Sequence, residues 1–310
     1  MASIFHQNMR RYGGGSVPRN AAYRGPVGGG GGAFAAISAG LPGLAAPIAV
    51  VGYTEITNNG ASVGALADCS VSLTGAGLGG IVGLVGIGRT ALAHGWEYIG
   101  IAIRGGWGLV AVGRMLIGVA GGIVLLHQRA ANFALPGAGG LGYSADYRGL
   151  AYVVVTVPGI APPNNRVAVG FLHNLYTFHA QRAIVAGQIG NMAVQMGAAI
   201  PGGPAAVPGI IARYIGGDFN VAMVTPRGLA HGRQLGLTMA QTPPGAVAGG
   251  TTWSGSLYDY WYSSIDPGVA PPAGLVQPVP RVHPNTLNHG PGVVPAGTMS
   301  DHAGVSLRFV

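Results

Sequence analysis

The sequence contains no lysine and has few charged residues of any kind. Its 310 residues include 16 basic residues, all of which are arginine, and only 8 acidic ones. Charged residues make up 8% of the chain, against about 25% in an average soluble protein. The absence of lysine excludes a Walker A nucleotide-binding loop, because that motif requires a lysine to contact the phosphates.

Cysteine is also scarce, and the long uncharged stretches are interrupted. The lone Cys69 excludes an intramolecular disulfide framework. Residues 25–54 and 183–212 carry no charge, but proline and glycine break both stretches, so neither predicts a transmembrane helix. The first residues lack the apolar segment of a secretory signal peptide. The sequence therefore predicts a cytoplasmic protein, with export by another route as the alternative.

Apolar residues and glycine dominate what is present. The apolar fraction is 49%, which excludes disorder caused by low hydrophobicity, and the 58 glycines follow no three-residue period, which excludes collagen. The formal net charge is +8. A charge of this sign favours a polyanionic partner such as nucleic acid or a phosphorylated lipid headgroup.

Apolar runs of strand length recur along the chain and predict substantial β-sheet. They lie at 3–9, 48–53, 98–103, 123–126, 150–157, 167–172, 211–215 and 305–310. Helices are predicted at 33–41 and 181–196. This mixture indicates an α/β or α+β fold. No shift in composition marks a boundary, so we predict one domain over 1–310, with a Gly-rich loop at 25–32 and a Pro-rich loop at 267–295.

Polar residues at the ends of these runs are the main functional signal. Asn8, Glu55, His173 and Asp218 end or follow apolar runs, and Asp301 and His302 precede the last one. Residues at the ends of neighbouring strands converge on one rim of a sheet structure, where sites are usually built. The sequence therefore predicts a site formed by residues that are distant along the chain.

The scarce acids at these positions indicate metal-assisted phosphoester hydrolysis. Mg²⁺ prefers one or two carboxylates together with waters and phosphate oxygens, and Mn²⁺ or Ca²⁺ are alternatives. Glu55 is the predicted main ligand, with Asp301 or Asn8 as the second.

The remaining polar residues can supply acid–base groups. Asp218 is predicted to orient or deprotonate the attacking water, and Asn220 lies two residues further on, on the same side of an extended chain. His302 can contact the phosphoryl oxygen or transfer a proton, with Asp259 fixing its tautomer.

The order of these motifs resembles the endonuclease/exonuclease/phosphatase superfamily. The matching elements are Asn8, Glu55, a strand-end histidine, Gly217-Asp218-Phe219-Asn220, Asp259-Tyr260 and Ser300-Asp301-His302. The resemblance spans nearly the whole chain. It implies a four-layer α/β sandwich, in which two mixed sheets pack face to face and are flanked by helices.

The resemblance also implies roles for residues that no motif singles out. His173 is preferred as the strand-end catalytic histidine because a predicted helix follows it after a short loop, and His179 resembles the pattern of another branch of the family. Glu97 resembles the acid that orients this histidine. Arg129 resembles an arginine at the DNA-contacting rim, and Asn174 is a second candidate for binding phosphate.

The function implied is that of a Mg²⁺-dependent phosphodiesterase of nucleic acid, deoxyribonuclease-like and endonucleolytic. One alternative is a phosphatase or a sphingomyelinase-type hydrolase of phospholipids or inositol phosphates with the same metal centre. Another is a catalytically inactive binding protein with the same fold. RNA as substrate and exonuclease action also stay as alternatives.

Overall fold

A computed structural model describes residues 1–12, 47–58, 73, 80–89, 96–118, 124–133, 148–174, 185, 187–221, 251–252, 256–266, 268–283, 300 and 302–310. These residues form twelve strands and one helix of more than one turn. The bounds are β1 Ser3–Tyr12, β2 Ile48–Asn58, β3 Ile81–Arg89, β4 Trp96–Ile103, β5 Gly108–Gly118, β6 Val124–Ala130, β7 Arg148–Thr156, β8 Arg166–His173, α1 Ile189–Gln195, β9 Ile210–Asp218, β10 Asp259–Ser263, β11 Val279–His283 and β12 Gly304–Arg308. Within these ranges no helix has the length and apolar character needed to span a membrane.

The strands form two mixed sheets of six strands each. The first sheet has the order β11-β12-β1-β2-β4-β3, and the second has the order β10-β9-β8-β7-β5-β6. The pairs β1–β2 and β8–β9 are parallel, and the other pairs are antiparallel. The predicted pair of packed mixed sheets is confirmed. The flanking layers are represented in the described residues by α1, which buries Ile189, Met192 and Ala193.

Burial on both faces explains why several strands are continuous apolar runs. Seven of the eight residues of β8 are buried. A strand covered on both faces has no solvent-facing positions to fill with polar residues, so the alternating pattern of a half-exposed strand disappears. This is why β7 and β8 were predictable from runs of valine, alanine and leucine.

Glycine makes the sheets pack closely near the rim. Phe171 on β8 lies against Gly52 on β2, where an added Cβ atom would overlap the phenyl ring. The ring of His6 on β1 stacks on Phe171 with centroids 6.2 Å apart, and Trp261 meets the same ring edge-on at 6.2 Å. This aromatic contact fixes how the rim ends of the two sheets face each other.

Strands β3 and β5 were not predicted because glycines interrupt the apolar residues of both strands. Gly83 on β3 is covered by the Phe133 ring, and Gly113 on β5 is covered by the Tyr152 ring. Each aromatic ring occupies the volume that a side chain would fill. The glycines therefore make these segments look like turns in the sequence, although they form well-packed strands in the structure.

The predicted Pro-rich loop at 267–295 contains β11, so the prediction is wrong for that part. Val279–His283 pairs with β12, and Pro280 lies opposite Leu307. Proline is tolerated because β11 is an edge strand, where one side of the backbone needs no partner. The predicted Gly-rich loop at 25–32 and the helix at 33–41 lie outside the described residues.

Replacement of Gly52 by alanine is expected to lower the free energy of unfolding by about 1–3 kcal/mol, the usual cost of overpacking a core. The matched control is Gly187→Ala, since an added Cβ at Gly187 meets nothing within 4 Å. That control should stay within about 0.5 kcal/mol of the parent. Denaturant unfolding of the three proteins measures both values, and equal stability of the two variants would contradict the close sheet contact.

Candidate active site

Three polar residues form one row across the second sheet at its rim. Asp218 ends β9 and is in register with His173 on β8 and with Asp259 on β10. Neighbouring strands lie about 4.8 Å apart, so this register alone brings the three side chains within reach of one another. The row explains why residues so far apart in sequence meet.

The Asp218 carboxylate is the focus of the site. Its Oδ2 atom accepts a hydrogen bond of 2.9 Å from Asn8 Nδ2. The Nε2 atoms of His173 and His302 each lie 3.7 Å from the same oxygen. Its Oδ1 atom accepts a bond of 2.9 Å from the backbone N–H of Asn220. The first and second sheets therefore both contribute groups to this one carboxylate.

Each of the two histidines has a carboxylate behind it. His302 Nδ1 lies 2.7 Å from Asp259 Oδ2, and His173 Nδ1 is hydrogen-bonded to Glu97 Oε1. Both imidazoles thus turn Nδ1 to a buried acid and Nε2 to Asp218. Such an arrangement fixes the tautomer and the ring orientation.

Glu55 was predicted to end its strand, but it lies inside β2. The strand continues to Asn58, and its register with β4 shifts between Tyr53 and Ile56. Glu55 has a left-handed backbone with φ of 54° at this bulge. A bulge re-aims a side chain, and Glu55 Oε1 lies 3.4 Å from His173 Nε2. Its side chain is 25% exposed, so it is mostly buried and still reaches solvent.

Asn8 has a fixed orientation. Its Oδ1 atom accepts a 2.8 Å bond from the backbone N–H of Arg10, so Nδ2 must be the atom that faces Asp218. Arg10 reaches this position through a left-handed backbone with φ of 46°. The amide therefore presents a donor to the carboxylate and an acceptor to the turn behind it.

Asn174 holds the end of β9 and is not open to a phosphate group. Its side chain is fully buried, and Nδ2 donates a 2.9 Å bond to the carbonyl of Phe219. Its backbone carbonyl accepts a 3.0 Å bond from Asn220 Nδ2. Asn220 has a φ of 49°. Asn174 therefore keeps the Asp218–Asn220 turn in its left-handed conformation.

Arg129 lies far from the rim, so the structure does not support the predicted contact with a DNA phosphate. It is on β6, which is separated from β8 by β7 and β5. Its guanidinium donates to the carbonyl groups of Gly197 and Ala198, both at 2.9 Å, and to that of Ala205. These bonds tie the 197–205 loop to the sheet. Asp301 and His179 lie outside the described residues.

Thr251 is a site residue that sequence reasoning missed. Its Oγ1 atom accepts hydrogen bonds of 3.0 Å from the backbone N–H groups of Tyr258 and Asp259. Its carbonyl accepts a 2.7 Å bond from the N–H of Ala303, next to His302. Thr251 thus joins the two chain segments that carry Asp259 and His302, and no local motif marks it.

His6 was also missed, although its position gave a signal. It lies two residues before Asn8 on the same strand, and residues two apart on a strand share a face. Its ring is fully buried, with Nε2 at 3.1 Å from Thr54 Oγ1 and Nδ1 at 3.8 Å from Asp259 Oδ1. Burial, followed by the charges of His302 and His173, lowers the pKa of His6 well below its usual range.

Among the described residues of the cluster, carboxylates outnumber histidines. Burial alone would lower the pKa of His173, but Glu97, Glu55 and Asp218 outweigh it and raise the pKa to about 9. Burial raises the pKa of Glu55 and of Asp218.

The donor set therefore fits a divalent cation, because a cation would offset the excess negative charge. Four acids surround the two histidines: Glu55, Glu97, Asp218 and Asp259. Atoms of Asp218, Asp259 and His302 lie within 4.8 Å of one another, a spacing that could hold an ion. Carboxylate oxygens are the ligands that hard cations prefer.

Replacement of Glu97 by glutamine is expected to lower the pKa of His173 from about 9, because burial then acts against fewer charges. In the parent, protonated His173 stabilises the fold, because its pKa is higher in the folded protein than the ordinary value of 6.5. This stabilisation is fully present below pH 6.5 and is lost as the pH rises to about 9. The variant should lose stability less steeply in that interval.

NMR titration of the imidazole carbon-bound protons measures this pKa, and His173→Gln assigns the signal. His127, whose pKa burial lowers to about 4, is an internal reference that should not move. An unchanged pKa of His173 in the Glu97 variant would contradict the assignment.

Comparisons with known proteins support the fold. The sequence matches no protein-family model and no curated protein. Among solved structures, it resembles an endonuclease/exonuclease/phosphatase family protein from Leptotrichia buccalis at a TM-score of 0.58 and 10% identity, covering 100% of both chains. A family protein from Bacteroides thetaiotaomicron gives 0.56 at 12% identity, covering 99% of this chain and 94% of that one. The human Nocturnin catalytic domain gives a TM-score of 0.52 at 11% identity, covering 100% of this chain and 93% of that one. The chain therefore has the fold of the endonuclease/exonuclease/phosphatase superfamily.

Proposed function

We propose that the protein is a divalent-metal-dependent phosphodiesterase that hydrolyses nucleic acid, with DNA as the first candidate. The observation that carries the proposal is the surroundings of Asp218 Oδ2. Two imidazole Nε2 atoms and one amide nitrogen converge on this oxygen, and each imidazole is backed by its own carboxylate. This arrangement provides a base, a proton donor and a fixed positive charge within one small space.

Asp218 is the proposed base for the attacking water. Burial raises the pKa of its carboxyl group, which makes the carboxylate a better proton acceptor near neutral pH. The Asn8 amide and the Asn220 N–H hold both carboxylate oxygens in place. Water bound to Oδ2 would lie beside both histidines.

The two histidines have different proposed roles. His173 is protonated at neutral pH because its pKa is about 9, so it supplies positive charge for the negative charge that develops on the phosphoryl oxygens. His302 is aligned by Asp259 through Nδ1, so its Nε2 atom accepts a proton when the ring is neutral and donates to a phosphoryl oxygen when the ring is protonated.

Glu55, together with Asn8 and Asp301, is the proposed set of ligands for the cation. Glu55 is the most exposed of the four described acids in the cluster, and this gives an ion from solvent a first ligand. Asn8 can bind a cation only through Oδ1, the oxygen that also accepts a hydrogen bond from the backbone N–H of Arg10. A bound Mg²⁺, Mn²⁺ or Ca²⁺ would act as a Lewis acid on the phosphoryl group.

A polyanionic substrate suits the charge of the chain. The net charge is +8 and the pI is about 10.0. The similar Nocturnin structure is described with a bound sulfate anion, which has the tetrahedral shape of a phosphate group. These observations favour a phosphodiester of nucleic acid over a neutral substrate.

Hydrolysis of a chromogenic phosphodiester and nicking of a plasmid should both require a divalent metal and stop with chelator. In a titration with Mg²⁺, Glu55→Gln should raise the metal concentration needed for half-maximal rate. Asp218→Asn should instead lower kcat about 10²-fold or more at saturating metal, as for loss of a positioned acid–base group.

Arg129→Ala is the matched control and should keep the parent rate, since Arg129 binds only loop carbonyls among the described residues. Turnover that persists in chelator would refute the metal assignment, and full activity of Asp218→Asn would refute the proposed base.

The affinity for duplex DNA should fall steeply with salt. Each neutralised phosphate releases counterions and contributes a log–log slope of about −0.9. Binding is measured with Ca²⁺ in place of Mg²⁺ to slow cleavage, and single-stranded DNA and RNA of the same length are run in parallel. Arg129→Ala should leave the slope unchanged. A flat response, together with turnover of an inositol phosphate or a phospholipid, would favour the lipid or inositol-phosphate alternative.

A further inference from the structure

His6 lies next to Asp259 in the interior of the protein. It is on β1, in the middle of the first sheet, and pairs with Val305 on β12 and Gly52 on β2. Its ring is 0% exposed. The stacked Phe171 ring covers one face of the imidazole. His6 therefore does not touch a substrate from this position.

Two buried polar atoms without partners face each other here. Among the described residues, His6 Nδ1 and Asp259 Oδ1 make no hydrogen bond, and they lie 3.8 Å apart. A buried polar atom without a partner destabilises the fold, because it has lost its hydrogen bonds to water. Hydrogen bonds in a catalytic site are often long without substrate and shorten in the reactive complex.

We propose that His6 is a positioning residue that acts on His302 through Asp259. The proposal rests on the proposed phosphodiesterase function for its effect on rate, but the contact itself can be tested without activity. In this arrangement, His6 Nδ1–H donates to Asp259 Oδ1 while the other oxygen, Oδ2, holds His302 Nδ1.

The chemistry of the partners determines the tautomer of His6. An ionised carboxylate only accepts hydrogen bonds, so Nδ1 must carry the proton. Nε2 then accepts from the hydroxyl of Thr54, 3.1 Å away. The chain of groups runs from Thr54 through His6 and Asp259 to His302, and every member has a consistent donor and acceptor.

A second anchor on Asp259 restricts rotation of its carboxylate. With Oδ2 alone bound, the carboxylate can turn about its Cβ–Cγ bond and carry His302 with it. With both oxygens bound, the imidazole Nε2 of His302 stays directed at Asp218 Oδ2, 3.7 Å away. Precise orientation of a reacting group affects rate more than substrate affinity.

Two substitutions separate the two nitrogens of His6. In His6→Asn the amide nitrogen occupies the place of Nδ1, so contact with Asp259 is retained and contact with Thr54 is lost. In His6→Gln the amide occupies the place of Nε2, so contact with Thr54 is retained and contact with Asp259 is lost. His6→Phe fills the ring volume against Phe171 with neither nitrogen and should behave as His6→Gln.

The expected result is a split between these variants. His6→Gln and His6→Phe should lower kcat on the chromogenic phosphodiester about 10-fold with little change in KM, and His6→Asn should stay within about 3-fold of the parent. The low-field NMR resonance of the His302 Nδ1 proton, assigned through His302→Gln, should persist in His6→Asn and be lost or broadened in the other two.

An unchanged resonance in folded His6→Phe would overturn the proposal, and so would equal loss in His6→Asn and His6→Gln. Melting temperatures identify any variant that fails to fold, and the comparison then uses the remaining two. If the parent shows no hydrolysis of phosphodiesters, the proposed function fails, while the resonance still decides whether His6 positions Asp259 and His302.

Discussion

The buried negative charge of Asp218 is the constraint on which the rim depends. The side chain is about 2% exposed, and an ionised carboxylate removed from water must be compensated by donors or by opposite charge. The compensation comes from Asn8 on the first sheet and from His173 and His302. The two sheets must therefore align at this end, so that packing of the sandwich and assembly of the site are one requirement.

Aromatic rings that pack over glycines explain which strands were predictable from the sequence. Strands rich in valine and alanine, such as β7 and β8, were found from their apolar runs. Strands β3 and β5 were not, because Phe133 and Tyr152 fill the space above their glycines. The sequence of one strand does not show that an aromatic ring from elsewhere in the chain covers its glycines. The Phe171 ring packs over Gly52 in the same way, and this contact joins the two sheets.

The candidate site was predictable where it depended on position along a strand. Asp218 and His173 meet because strand ends share a rim, which follows from sequence alone once the strands are known. What the sequence does not show is the set of hydrogen-bond partners. Arg129 and Asn174 have the right chemistry for phosphate, but their hydrogen bonds go to backbone carbonyls, and those partners are set by tertiary structure. His6 carries no motif; its spacing from Asn8 places it on the same strand face, and its proximity to Asp259 is seen only in the structure.

Among the described residues, three that are not glycine have a left-handed backbone, and they affect the balance between stability and chemistry. Arg10, Glu55 and Asn220 all lie at the rim, with φ between 46° and 54°. Such a backbone costs about 1–3 kcal/mol for a residue with a Cβ atom, and glycine would relieve it. A chain optimised for stability alone would place glycine at these positions, as it does freely elsewhere. Keeping Glu55 and Asn220 there costs conformational energy at two side chains of the candidate site, so thermostabilising substitutions at either position should be avoided.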